Sequence, residues 1–133
     1  MSNYIEHYKE IHLKNPKYGS NNDPAAKPSD VLSLIKQNDC QYVLDYGCGK
    51  GVLVEFLNNN NIICEGFDPA VEEFLNKPSY ETGYDCIMCL DVLEHIPYND
   101  IDDLLSDICS FESKYTFFNI ALRKASQLLP DGS

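Results

Sequence analysis

Three glycines at alternate positions follow a short apolar run in Val43-Leu-Asp-Tyr-Gly-Cys-Gly-Lys-Gly51. An apolar strand that breaks into such a turn and then a helix suits ligand binding, because open parallel sheets bind ligands beyond the carboxyl ends of their strands. Glycines there let the backbone turn sharply and approach a ligand that a Cβ would exclude. Three ligand classes have to be weighed. A phosphate-binding P-loop needs Gly-Lys followed by Ser or Thr, but Lys50 is followed by Gly51. The dinucleotide fingerprint G-x-G-x-x-G, counted from Gly47, would end on Val52, and fails. Asp45 argues further against a pyrophosphate, which it would repel at the helix N-terminus. A carboxylate in that place favours a ligand bearing cationic groups.

S-adenosylmethionine fits this description, since it carries an ammonium and a sulfonium and no phosphate. Two further segments extend the pattern. Gly66-Phe-Asp68-Pro69 ends a second apolar run with an acid placed to accept hydrogen bonds from ribose hydroxyls, a device shared with dinucleotide enzymes. Asp91-Val-Leu-Glu-His-Ile96 follows a third run. Taken in order, the three segments resemble the successive motifs of class I S-adenosylmethionine-dependent methyltransferases, over about residues 31–120. The nearest likeness is to the broad methyltransferase-domain group found among phage and metagenomic sequences.

The resemblance implies a role for each matching position. Gly47, Gly49 and Gly51 would line the methionine part of the cofactor. Asp45 would sit beneath it, either positioning the loop or reaching the amino group through water. Tyr46 and Pro69, inside the same motifs, join the cofactor-binding set. Asp68 would bind the ribose. Leu90 and Asp91 would border either the methionine part or the adenine edge. Glu94 and His95 would stand near the substrate side. Methyl transfer from a sulfonium is a direct displacement, so the protein mainly aligns the reacting atoms. A base helps only where the acceptor must lose a proton, and His95 is the candidate catalytic residue by its ordinary pKa. Simpler readings stand beside these. The glycines can serve a tight turn alone, Asp68 can cap the helix after it, and Glu94 and His95 can be structural.

The elements that must position these residues can be read from periodicity. Tyr4 to His12 repeats at helical spacing, and residues 15–24 are dense in turn formers. Ser29 is a plausible N-cap for a helix to about Asn38. Strands are expected over 42–45, 62–67, 85–90 and 115–120, and a buried helix over 52–57. A short helix is expected around Val71, Phe74 and Leu75, then a loop from Pro78 to Gly83 with room for a vestigial strand at most. Ile101, Leu104, Leu105 and Ile108 mark an amphipathic helix, with Asp100, Asp102, Asp103 and Asp107 mostly facing away. A last helix is expected over 121–129.

Strands alternating with helices predict an α/β fold, a Rossmann-like three-layer sandwich. The family resemblance implies a seven-stranded sheet closed by an antiparallel hairpin. Asp85 follows Asp68 by only 17 positions, too few for the usual helix, strand and helix, and the chain stops at Ser133. The expectation is therefore a reduced, mostly parallel sheet that lacks the C-terminal hairpin. The 133 residues read as one domain, with residues 1–27 as an N-terminal lid or arm and 28–133 as the cofactor-binding core.

Composition bounds the partners. A hydrophobic share of 44% marks a folded chain. The 21 acidic residues against 10 basic ones give a net charge of −11, without the clustered Lys and Arg that a nucleic-acid backbone needs. No apolar run approaches the roughly 20 residues that cross a bilayer, and no basic-then-apolar start marks a secretory signal. A cytoplasmic setting with six reduced cysteines is expected. Cys86 and Cys89 have metal-site spacing, but on a strand they would point to opposite faces, so no metal site is expected. The strand over 115–120 would have an unpaired apolar edge, which suggests a homodimer unless the tail from Ala121 to Leu129 covers it. Two functional classes remain: an active methyltransferase with an unidentified small-molecule or protein acceptor, and a non-catalytic S-adenosylmethionine-binding module acting with a partner.

Overall fold

The computed structural model describes residues 27–119. The N-terminal arm up to Ala26, the helix expected over 121–129 and the position of any terminal hairpin lie outside the described residues. Among the described residues four strands form one sheet in the order β2-β1-β3-β4, with every pairing parallel, and three helices are present. The strands are β1 (Tyr42–Tyr46), β2 (Ile63–Phe67), β3 (Tyr84–Leu90) and β4 (Ser113–Asn119). The helices are α1 (Pro28–Gln37), α2 (Val52–Asn59) and α3 (Tyr98–Cys109). The chain steps outward from β1 to β2, then returns to β3 on the other side of β1. Strand order thus reverses between β1 and β3, the crevice where such sheets bind ligands.

Two cores cover the two faces. Val31 and Ile35 of α1 and Val54 and Leu57 of α2 pack with Val43, Cys64, Cys86 and Met88 on one face. Leu104 and Ile108 of α3, with Phe111, pack with Leu44, Tyr46, Phe67, Ile87 and Cys89 on the other. Burial on both sides explains why the strands read as continuous apolar runs rather than alternating ones. Cys86 and Cys89 fall in opposite cores, as the period of two requires. Among the described residues no cluster of His, Cys, Asp or Glu could hold a metal, and no helix is long and apolar enough to cross a membrane.

Several boundaries differ from expectation. Helix α1 begins at Pro28, whose fixed φ and missing N–H suit the first helical position, and Lys27 rather than Ser29 is the N-cap. The helix after β2 is a single 3-10 turn, Glu72–Phe74, and no vestigial strand forms before β3. Two of the four aspartates on α3 turn inward. Asp100 is buried in the first turn, where free helix amides favour a carboxylate, and Asp107 is half-buried among hydrogen-bond donors.

Edge strand β2 is closed in an unusual way. The Ile63 N–H points to β1, bonding to the Gln41 carbonyl, so the backbone of Cys64 faces outward. The Asn58 side chain at the end of α2 takes both groups: its Oδ1 accepts from Cys64 N–H at 3.0 Å and its Nδ2 donates to Cys64 C=O at 2.9 Å. One amide side chain does what a neighbouring strand would do. Asn58→Asp keeps the shape but sets a carboxylate against the Cys64 carbonyl. It should lower unfolding stability by about 1–3 kcal/mol. Urea denaturation checks this, and matching midpoints for variant and wild type would refute the edge role.

Candidate functional site

The glycine loop leaves β1 at the reversal of strand order and is tied to the end of β2. The Phe67 carbonyl accepts the N–H groups of Gly47 at 2.7 Å and Cys48 at 3.2 Å. Asp68 Oδ2 accepts the Gly49 N–H at 2.9 Å. All three loop glycines have positive φ: 83° at Gly47, 58° at Gly49 and 81° at Gly51. A Cβ at Gly47 would come within 2.6 Å of Val92 Cγ2, and one at Gly51 would strike the Phe74 ring. At these two positions the chain itself fills the space a side chain would need. Any ligand contact there runs through backbone atoms.

Asp68 follows the last residue of β2. Its other oxygen accepts the Ala70 N–H at 2.9 Å, bridging Pro69, which has no N–H to offer. The carboxylate thus closes the turn after β2 and anchors the loop; it does not cap the helical turn that follows, whose N-cap is Val71 without a side-chain bond. Each oxygen takes one of these bonds and keeps a further lone pair for a hydroxyl.

Asp45 lies on β1 just before the loop and is only 4% exposed. Burial, and then the neighbouring Asp68 carboxylate, push its pKa up to about 7. No hydrogen bond within the described residues offsets this. Its surroundings are the thiols of Cys48 and Cys64, which burial also pushes up, so no cation is supplied from there. Two acids set close together, one of them dehydrated, form a place that a positive ligand would relieve.

Tyr46 is next in sequence and points to the opposite face. Its ring packs edge-on against Phe67, with centroids 5.2 Å apart, in the core beneath α3. Only its backbone belongs to the loop. Beyond β3, Leu90 is half-buried against the α1–α2 core, and Asp91 adopts φ 56°, turning the chain back while its N–H bonds the Asn119 carbonyl at 2.9 Å. Val92 brings this turn against Gly47. A 3-10 turn, Leu93–His95, comes next, and places Glu94 Oε1 3.8 Å from His95 Nε2, within charge attraction but beyond hydrogen-bond reach.

The structure therefore gathers Asp45, the loop, Asp68 and the Asp91–Val92 turn around the end of β1. It sends the Tyr46 side chain elsewhere and sets His95 one turn past the residue that touches the loop. A groove at the ends of β3 and β4 is lined by Val31, Leu34, Leu90, Phe117, Phe118 and Asn119, with Lys27 and Asp30 beside them. The contacts of Val92 and Phe74 with the loop escaped the sequence reading, because only the fold brings them there, and so did the groove, which the fold builds from α1, β3 and β4. The one available signal was the apolar residue directly after Asp91.

No curated protein matches the chain at a significant level. The methyltransferase domain profile matches residues 10–132, nearly the whole sequence and all of the elements described above. With its parallel sheet and glycine loop, the chain belongs to the class I S-adenosylmethionine-dependent methyltransferase family.

Proposed function

We propose that the protein binds S-adenosylmethionine at the end of β1 and transfers its methyl group to a small-molecule or protein acceptor. The observation that carries this reading is the buried Asp45 beside Asp68 at the foot of the glycine loop. The pair suits a ligand with an ammonium group and a ribose, and disfavours one with phosphates. The cofactor supplies an activated methyl on a sulfonium. The chain's part is to hold and align. Asp45 faces the amino end, the Gly47–Gly51 backbone sets the close wall, and the free lone pairs of Asp68 take the ribose hydroxyls. Leu90 and Asp91 border the remaining side. The groove lined by Leu34, Leu90 and Phe117 gives the acceptor an apolar wall. His95 takes the acceptor's proton where one must leave.

Titration calorimetry tests the reading directly. S-adenosylhomocysteine should bind and NAD should not; the reverse would overturn it. Asp68→Ala should weaken binding by roughly 1–3 kcal/mol, the scale of hydrogen bonds to a charged group.

A pH dependence arises from Asp45. Its carboxyl has a pKa in the folded state near 7, above its unfolded value, so the folded chain holds an extra proton in between. This group's contribution to the stability of the ligand-free protein should fall as pH rises from about 4 to 7 and level off above. Asp45→Asn should flatten that slope and stabilise the protein at pH 8. Affinity for the cationic cofactor should rise through pH 7 in the wild type and lose this rise in the variant. Thermal melts and calorimetry at pH 6 and 8 measure both, and a wild-type affinity unchanged between them would count against Asp45 as the cation partner.

A further inference from the structure

We propose that Asp107, on α3 and outside the cofactor crevice, is a positioning residue for the glycine loop and acts through Tyr46. The inference rests on the cofactor reading above. Asp107 gathers three donors on one carboxylate. Tyr46 O–H donates to Oδ2 at 2.5 Å, while Tyr80 O–H at 2.5 Å and Lys77 Nζ at 2.8 Å donate to Oδ1. Burial works against its charge, but the hydrogen bonds from Lys77, Tyr46 and Tyr80 hold its carboxyl below the usual value. The ion stays charged and fixed in place at neutral pH.

What the carboxylate grips matters. Tyr46 is the last residue of β1 and Phe67 the last of β2. The Tyr46 ring leans on Phe67, and Lys77 Nζ, held by Asp107, lies 5.7 Å above the same Phe67 ring. The two side chains held from below thus belong to the residue that launches the loop and the residue whose carbonyl receives Gly47 and Cys48. A phenol bonded to a fixed carboxylate resists sliding of the β1 end. Gly47 follows Tyr46 directly, and its lack of a Cβ leaves the loop little stiffness of its own.

The competing idea is that Asp107 only glues the segment from Lys77 to Tyr80 onto α3. Tyr80 separates the two, since it bonds the same carboxylate but belongs to the segment before β3 and not to β1. Calorimetry with S-adenosylhomocysteine and urea denaturation on the full chain would compare wild type, Tyr46→Phe, Tyr80→Phe and Asp107→Asn. Tyr46→Phe and Asp107→Asn should weaken binding on the order of ten-fold, matching the loss of one charge-assisted hydrogen bond. Tyr80→Phe should lose stability while its affinity stays within about two-fold of wild type, a change too small for a lost bond. Hydrogen exchange gives a readout without ligand: the amides of Gly47 and Cys48 should exchange faster in Tyr46→Phe and not in Tyr80→Phe. Should Asp107→Asn fail to fold, Tyr46→Phe, which keeps the ring, still decides. Equal affinities and equal exchange in both tyrosine variants overturn the positioning role. A wild type that binds no S-adenosylhomocysteine overturns the cofactor reading instead, and exchange at Gly47 still judges the Tyr46 contact.

Discussion

The shape of the site depends on the end of β2 supplying acceptors to the loop that leaves β1. The Phe67 carbonyl takes two loop amides and the Asp68 carboxylate takes a third. Three successive backbone turns at positive φ would otherwise leave these donors pointing at nothing. Because the acceptors sit on a neighbouring strand, the loop is correct only when β1 and β2 are in register, with Tyr46 opposite Phe67. The acid pair depends on the same register. Asp45 lies opposite Gly66, and the lack of a side chain there lets Cys48, Val54 and Phe74 close over the strand.

The face beneath α3 shows how a sheet is covered where the connection between strands is short. No helix spans the connection from β2 to β3; a 3-10 turn and an irregular segment do. Aromatic rings cover the surface instead: Tyr46 packs on Phe67, Tyr80 and Tyr84 on Phe111, and Tyr42 on Tyr84. Each phenol is satisfied by an acid. Tyr42 and Tyr84 donate to the two oxygens of Glu65, and Tyr46 and Tyr80 donate to Asp107. Tyrosine suits this work because it covers apolar area and still reaches a polar partner at its tip.

Much of this was legible in the sequence because it is local. The run from Val43 to Gly51 declares a strand and a turn within nine residues with a helix to follow, and in the structure the helix begins directly after it at Val52. The alternation of Cys86 and Cys89 across the sheet followed from strand geometry alone. Harder to read are residues whose side-chain surroundings are set by distant partners. Asp107 looked like one of four solvated acids on a polar stripe, and its donors Tyr46, Lys77 and Tyr80, far away in sequence, turn it inward. Tyr46 lies inside the glycine motif, and period two sends its side chain to the face opposite Asp45, where it packs on Phe67. The space at Gly47 and Gly51 read as room for a ligand, and it is occupied by Val92 and Phe74.

The amide of Asn58 has a consequence for the order in which the molecule assembles. It joins the last turn of α2 to the second residue of β2, positions only six apart in sequence. Such a contact needs almost no loop closure and can form early, before β1 finds its parallel partners. Parallel pairing is slow, and strands waiting for it are exposed to other chains. Here the outward backbone of Cys64 is engaged by its own helix while the rest of the sheet is still being gathered. The same side chain that finishes the native edge thereby shields the strand during synthesis, when no native edge yet exists.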